Sequence, residues 1–265
     1  MNSTLARLLL IPTPLDHGID SESTSEGEVP LNTWIPESTL RAAASCGVWI
    51  CENAKSARHF LKRLSLTHAL PAPLQQLQLI EMPREMHKRG DHRSTAFGQW
   101  AQQALEPALH GQTVALVCEA GMPAIADPGS SVVRQAHRMG IAVVPYVGPS
   151  SLIQGLAASG LNGQRFAFNV YIPLADERML RIKQLDAWAH KSGQTQLCIE
   201  TPYRNQGLLD HLLKTLRSDT RLAIAVNIGT SAEKVYSAKV LDWRNQAWAQ
   251  FIKGPAVFMW GPDSD

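Results

Sequence analysis

Short runs rich in Val, Ile and Leu alternate with stretches of helical length through the first half of this chain, and that alternation constrains its fold most. A strand that reads as continuously apolar must be covered on both faces, which a parallel sheet flanked by crossover helices achieves. The runs Leu8–Ile11, Val48–Cys51, Leu77–Glu81, Thr113–Val117 and Ala142–Tyr146 predict five strands. Between them, Glu37–Ser45, Ala54–Leu64, Thr95–Leu109 and Ser131–Met139 predict the helices. A second set follows: a helix over Ser150–Ser159, then strands at Phe166–Tyr171, Gln196–Glu200, Leu222–Asn227, Lys234–Ala238 and Ala256–Trp260. The link between Leu222–Asn227 and Lys234–Ala238 is too short for a crossover helix, so these two strands should run antiparallel. The expected fold is therefore α/β with two domains: an N-terminal parallel sheet over 1–146 and a C-terminal mixed sheet over 147–265.

Composition fits that size. With 265 residues, 45% of them hydrophobic, the chain can bury two cores. No apolar run reaches the length of about 20 residues that spans a bilayer, and Met1–Arg7 lacks a signal-peptide pattern, so a cytoplasmic location is expected. Cys46, Cys51, Cys118 and Cys198 are scattered without a Cys-x-x-Cys pair, and buried free thiols suit them better than disulfides or metal ligands. The net charge of +2 with nine histidines identifies no partner by itself. Two basic clusters carry more information. Lys55, Arg58, His59, Lys62 and Arg63 recur at helical spacing opposite Ala57, Phe60, Leu61 and Leu64, as one solvated helix face would. Arg84, His87, Lys88, Arg89, His92 and Arg93 fall in a polar stretch after a strand, where they read either as plain surface or as a grip on RNA phosphates. The segment from Asp16 to Thr33, rich in Ser, Glu and Gly, reads as a surface loop.

The motif that speaks most directly to function is Val114 to Gly129, a strand that runs into Ala120-Gly121-Met122-Pro123-Ala124-Ile125-Ala126-Asp127-Pro128-Gly129 before a helix. Small residues, Pro and Gly let main-chain groups approach a compact polar ligand. Ile11-Pro12-Thr13-Pro14 and Gly148-Pro149-Ser150-Ser151 provide two more such turns at strand ends. No Gly-x-Gly-x-x-Gly follows the first strand, which weighs against a nicotinamide dehydrogenase.

Together with Glu52-Asn53-Ala54-Lys55 and Glu200-Thr201-Pro202-Tyr203-Arg204, these segments in this order resemble the tetrapyrrole methylase superfamily of methyltransferases that use S-adenosyl-L-methionine (SAM). They resemble most its small-subunit ribosomal RNA ribose 2′-O-methyltransferase branch, the RsmI type. The resemblance implies SAM as cofactor in an inter-domain cleft, with Pro12, Gly121, Met122, Pro123, Ile125, Ser150 and Ser151 about the methionine. It implies Tyr203, Ala225, Val226 and Asn227 beside the adenosine, Glu52 as an acidic group at the cleft, and a homodimer. Trp49, Trp100 and Trp188 are the aromatic residues expected to serve such an interface. An RNA acceptor would be held by Lys55, Arg58, Lys62, Lys88, Arg89 and Arg93. A ribose hydroxyl needs help losing its proton, and Glu52, Glu119, Asp127, Glu200 and Glu233 lie near expected strand ends; the resemblance favours Glu52 as the catalytic base, while Asp127 before Pro128 reads rather as a helix N-cap and turn former.

The chain departs from the branch's pattern in ways that bear on substrate. Asn53-Ala54-Lys55 stands for Asp-Thr-Arg, Met122 for Thr, and Val226-Asn227-Ile228-Gly229-Thr230 for Arg-Glu-Leu-Thr-Lys. Three functions therefore stay in play: an RNA methyltransferase, a methylase of a tetrapyrrole or other small molecule, and a non-catalytic SAM- or RNA-binding module.

Overall fold

The structure is a computed structural model that describes residues 6–16, 29–85, 96–174, 176–245 and 252–263. Its contacts divide the chain into two units, Met1–Ser150 and Ser151–Asp265. Val147 to Ser150 thus go with the first unit, where the Thr39 hydroxyl donates to the Val147 carbonyl at 2.9 Å.

In the first unit, β1 (Arg7–Leu10), β2 (Val48–Cys51), β3 (Gln78–Glu81), β4 (Thr113–Val117) and β5 (Ala142–Pro145) form one sheet in the order β3-β2-β4-β1-β5. Every pairing is parallel. Because strand side chains alternate, each strand serves two cores. Leu9, Trp49, Cys51, Ala115 and Val117 meet Leu40 and Ala43 of α1 (Glu37–Ala44) and Phe60, Leu61 and Leu64 of α2 (Ala54–Ser65). Leu8, Val48, Ile50, Val114 and Leu116 meet Ala101, Ala104 and Leu105 of α3 (Ala96–Leu109) and Val132 and Ala136 of α4 (Ser130–Arg138). The sheet is doubly wound as its pattern predicts.

Two expectations are corrected here. Trp49 is no interface residue: it is wholly buried, stacks edge-on against Phe60 at 6.2 Å and donates its indole N–H to the Cys46 carbonyl. Trp100 likewise packs partly against the second of those cores, and of the three tryptophans Trp188 is the exposed one. The stretch expected as loop up to Thr33 contains core structure at its far end, because Leu31 opens a short 3-10 turn (Leu31–Thr33) and is buried beside Ile35.

The second unit holds β6 (Phe166–Phe168), β7 (Thr195–Glu200), β8 (Thr220–Val226), β9 (Lys234–Lys239) and β10 (Ala256–Pro262), ordered β6-β7-β10-β8-β9. β6 and β7 are parallel and the other pairs antiparallel, including β8 with β9, so the sheet is mixed. One face packs Cys198, Leu222, Ile224, Val226, Phe258 and Trp260 against α6 (Asp176–Ser192), α7 (Asn205–Thr215) and Trp243 of α8 (Val240–Arg244). Behind the other face runs α5 (Ser151–Ala158), whose Gly155 lets it lie close: a Cβ there would sit 3.2 Å from Ala225 Cβ.

Candidate active site

All five parallel strands of the first unit end at one edge of the sheet. From β1 and β2 the chain goes on to α1 and α2, whereas from β3 and β4 it goes on to α3 and α4 on the opposite face. Where neighbouring strands send their chains to opposite faces, a crevice opens beyond the carboxyl ends, and ligands of open α/β sheets bind there. In this sheet β4 lies between β2 and β1, so the loop leaving β4 is at that place.

That loop, from Cys118 to Gly129, is pinned to the end of β1. Thr13 and Gly121 exchange backbone hydrogen bonds, Thr13 N–H to the Gly121 carbonyl at 2.9 Å and Gly121 N–H to the Thr13 carbonyl at 3.0 Å. The Thr13 hydroxyl adds a bond to the Cys118 carbonyl at 3.3 Å. Gly121 has φ +82°, and a Cβ on it would press to 3.2 Å from Leu15. Gly148 lies against the ring of Pro12 so tightly that no Cβ fits. Two residues with side chains, Ala124 and Ala126, also take left-handed conformations at φ 64° and 67°. Each such residue costs about 1–3 kcal/mol and persists only where its surroundings dictate it. Pro12 and Pro123 are buried, Met122 and Ser150 half-buried, and Ile125 is 50% exposed.

Carboxylates gather about this loop. Glu52, directly after β2, accepts the Glu119 backbone N–H on Oε2 at 3.4 Å. Glu81, closing β3, accepts the first free N–H of α2 from Ala54 at 3.2 Å, while Asn53 caps the same helix by accepting from Lys55 N–H at 2.9 Å. Asp127 does not serve as an N-cap. Gly129 holds that position at α4. Burial first, then the charges of Glu52 and Glu119, push the Asp127 pKa up to about 7, while a bond from the Cys118 thiol pulls the other way. The Cys118 thiol also donates to the Ala120 and Gly121 carbonyls at 3.4 Å each. Burial raises its pKa well above the usual thiol value, with Asp127 and Glu52 adding to the effect, so Cys118 stays protonated and is no nucleophile.

The remaining carboxylates have structural partners. Glu200 is buried and accepts from Arg178 at 3.0 Å, from Arg204 at 2.8 Å and from its neighbour's N–H, Thr201, at 2.9 Å. Its carboxylate is thus taken up by two guanidiniums and a backbone N–H within the second unit. Glu233 accepts the Gly229 N–H at 2.6 Å and closes the turn after β8. Arg178 was not marked out by sequence, since nothing local distinguishes a buried arginine from the other charges of α6.

The other named residues fall as follows. Lys55, Arg58 and Lys62 share an exposed face of α2 that begins beside Glu52. Arg63, placed with them by its spacing, is instead buried: it pairs with Asp16 at 2.7 Å and donates to the Val29 carbonyl at 2.8 Å. Lys88, Arg89 and Arg93 lie outside the described residues. In the second unit Ser151 begins α5 and is half-buried. Ala225 and Val226 are buried in β8, and alternation turns Val226 into the core, so its side chain is not open to a ligand. Asn227 takes φ 51° and donates from its side-chain amide to the Lys253 carbonyl at 3.0 Å. Tyr203 is 81% exposed, with the Arg204 guanidinium 5.4 Å from its ring centre.

Comparison with known proteins gives this arrangement a family. The model of the Tetrapyrrole (Corrin/Porphyrin) Methylases matches residues 34–242, most of the chain. The chain belongs to the tetrapyrrole methylase family. Among curated proteins it is similar to the ribosomal RNA small subunit methyltransferase I of Vibrio cholerae, at 32% identity over 55% of this chain and 50% of that protein. The namesake from Pseudomonas aeruginosa is 34% identical over 50% of this chain and 47% of its own length. That from Helicobacter pylori is 28% identical over 84% and 74%. The chain thus spans about half the length of the first two relatives. A solved uroporphyrin-III-C-methyltransferase from Thermus thermophilus superposes with a TM-score of 0.49 at 17% identity, over 97% of this chain and 94% of that one. Among the described residues no helix is long and apolar enough to cross a membrane.

Proposed function

We propose that this tetrapyrrole methylase transfers a methyl group from SAM to RNA, with a ribose 2′-hydroxyl of small-subunit ribosomal RNA as acceptor. The observation that carries the reading is the Cys118–Gly129 loop, pinned to Thr13 and ringed by Glu52, Glu119 and Asp127. Its residues suit the cofactor. Backbone held open by Gly121 can meet the polar ends of an amino acid, and the carboxylates favour a cationic sulfonium. Support for an RNA acceptor comes from the names of the curated relatives and from Lys55, Arg58 and Lys62 on α2.

On this reading Pro12, Gly121, Met122, Pro123, Ile125 and Ser150 hold the methionine side, joined by Ser151, while Tyr203, Ala225 and Asn227 serve the adenosine. SAM supplies an activated methyl group when bound. The protein supplies alignment, which is worth several orders of magnitude in rate, about 10⁵ or more as effective molarity. Lys88, Arg89 and Arg93 complete the phosphate contacts. A cytoplasmic homodimer, with Trp188 as its remaining exposed tryptophan, belongs to the same proposal and is checked by light scattering.

The test is Gly121→Val. A side chain at φ +82° strains the backbone and presses on Leu15, so it should disturb the loop pinned to Thr13. Calorimetry should show SAM affinity lost while circular dichroism keeps the folded signal. Unchanged affinity in the folded variant would remove this loop from the site, and transfer to a porphyrinogen in place of RNA would overturn the acceptor.

A further inference from the structure

Among the described residues of the first unit, four polar or charged side chains are buried, Thr13, Thr39, Arg63 and Ser131. Ser131 lies in the first turn of α4, just past the Cys118–Gly129 loop. The other three bond to the turns beside that loop. Thr13 donates to the Cys118 carbonyl, Thr39 to the Val147 carbonyl at 2.9 Å, and Arg63 to the Asp16 carboxylate at 2.7 Å and the Val29 carbonyl at 2.8 Å.

Two of those turns close on Gly121. A Cβ there would sit 3.2 Å from Leu15 and 3.6 Å from the Pro149 carbonyl. Asp16 follows Leu15, and Val147 precedes Gly148, which lies against Pro12. Arg63 in the last turn of α2 therefore holds the chain that leaves β1, and Thr39 of α1 holds the chain that leaves β5. Stability alone does not ask for these groups. The Arg63 and Asp16 side chains are 6% and 10% exposed beside an apolar core, where apolar residues of similar volume in place of a buried polar pair are often neutral or stabilising. What a hydrogen bond adds over apolar contact is direction, because its strength falls steeply off axis. A carbonyl or carboxylate held in that way stands in one place.

We propose, on the methyltransferase reading above, that Thr39 and Arg63 are positioning residues for the cofactor: they set the two turns against Gly121, and SAM affinity depends on them although they act on the site through Val147 and Asp16. Leu15 and Pro149 bound the side of Gly121 toward which a Cβ would point. A turn free to draw away from that side would leave the paired Thr13 and Gly121 hydrogen bonds without support.

Two measurements test this on two variants, Thr39→Val and Arg63→Met joined to Asp16→Asn, the second chosen so that no buried charge is stranded. The first needs no cofactor: amide hydrogen exchange followed by NMR in the full chain. The Thr13 and Gly121 N–H groups should exchange about tenfold faster in each variant, while the amides of Leu9 and Ala115 within the sheet keep their protection. Unchanged exchange at Thr13 and Gly121 would overturn the proposal, as would a rise spread evenly through the sheet, which marks a loss of stability alone. The second is SAM affinity by calorimetry, at a temperature where both variants are folded by circular dichroism. Thr39→Val should weaken binding about fivefold, the value of one hydrogen bond, and the Arg63 and Asp16 pair about tenfold. Arg63→Lys keeps a cation opposite Asp16 and should stay closer to the parent. Affinity within about twofold of the parent in both variants would overturn the positioning role. A parent that binds no SAM would overturn the methyltransferase reading and the cofactor role together, and the exchange rates alone would then show whether the two side chains hold the turns.

Discussion

Replacing Glu200 by Ala should be among the most damaging single changes in the second unit. Its side chain is 1% exposed and that of Arg178 6%, and the two meet at 3.0 Å. Deleting the carboxylate leaves the Arg178 guanidinium buried with a bond from Nε to the Pro173 carbonyl at 2.9 Å but without its counter-ion. Breaking a buried pair in this way costs about 3–5 kcal/mol. Arg204, 33% exposed, can turn to water when its partner goes and adds at most about 1 kcal/mol. Total stability of a domain is about 5–15 kcal/mol, so the loss should be plain in a urea titration followed by circular dichroism. The companion variant Glu200→Leu with Arg178→Met leaves no buried charge and should recover much of the loss. A Glu200→Ala midpoint within about 1 kcal/mol of the parent, or a double variant no better than the single, would refute the reasoning.

Further outcomes follow from backbone geometry and charge. Val170, a β-branched residue at φ 55°, interrupts the strand after Phe168; Val170→Gly relieves about 1–2 kcal/mol of left-handed strain against about 0.5–1 of added chain entropy, so the melting temperature should rise slightly. Gly148→Ala drives a methyl into Pro12 and should cost about 1–3 kcal/mol by chemical denaturation. Ala at both Lys55 and Arg58 should weaken RNA binding and lower its salt slope by about 1–2 units while leaving SAM affinity alone, as filter binding across a salt series would show.

How much of this was legible in the sequence depends on where each signal lay. The central strands of the first sheet were readable because strands buried on both faces are apolar along their length, as in Val48–Cys51 and Val114–Val117, while the edge strands Gln78–Glu81 and Ala142–Pro145 carried shorter apolar centres. Helices α6 and α7 were passed over. The inward face of α6 runs Arg178, Ile182, Leu185, Asp186 and Ala189, so polar residues break the apolar period. Both are buried through partners distant in sequence: Arg178 with Glu200, and Asp186 with the Thr220 hydroxyl at 2.8 Å. Arg63 shows the same limit, since only the folded chain brings it to Asp16. Glycine inside α7, at Gly207, hid a face formed by Leu208, Leu209 and Leu212. The strand ends bearing the candidate site were legible from their Pro and Gly. The cap of α4 was not, because whether Asp127 or Gly129 takes that position turns on backbone angles that no residue spacing encodes.

The most direct test of the account is methyl transfer itself. Small ribosomal subunits incubated with the protein and SAM carrying a labelled methyl group are digested to nucleosides and read by mass spectrometry. The account predicts label in a single 2′-O-methylated nucleoside of the small-subunit RNA, absent when Gly121→Val replaces the parent. Label on a base, or an RNA left unmethylated by a parent that binds SAM, would contradict it.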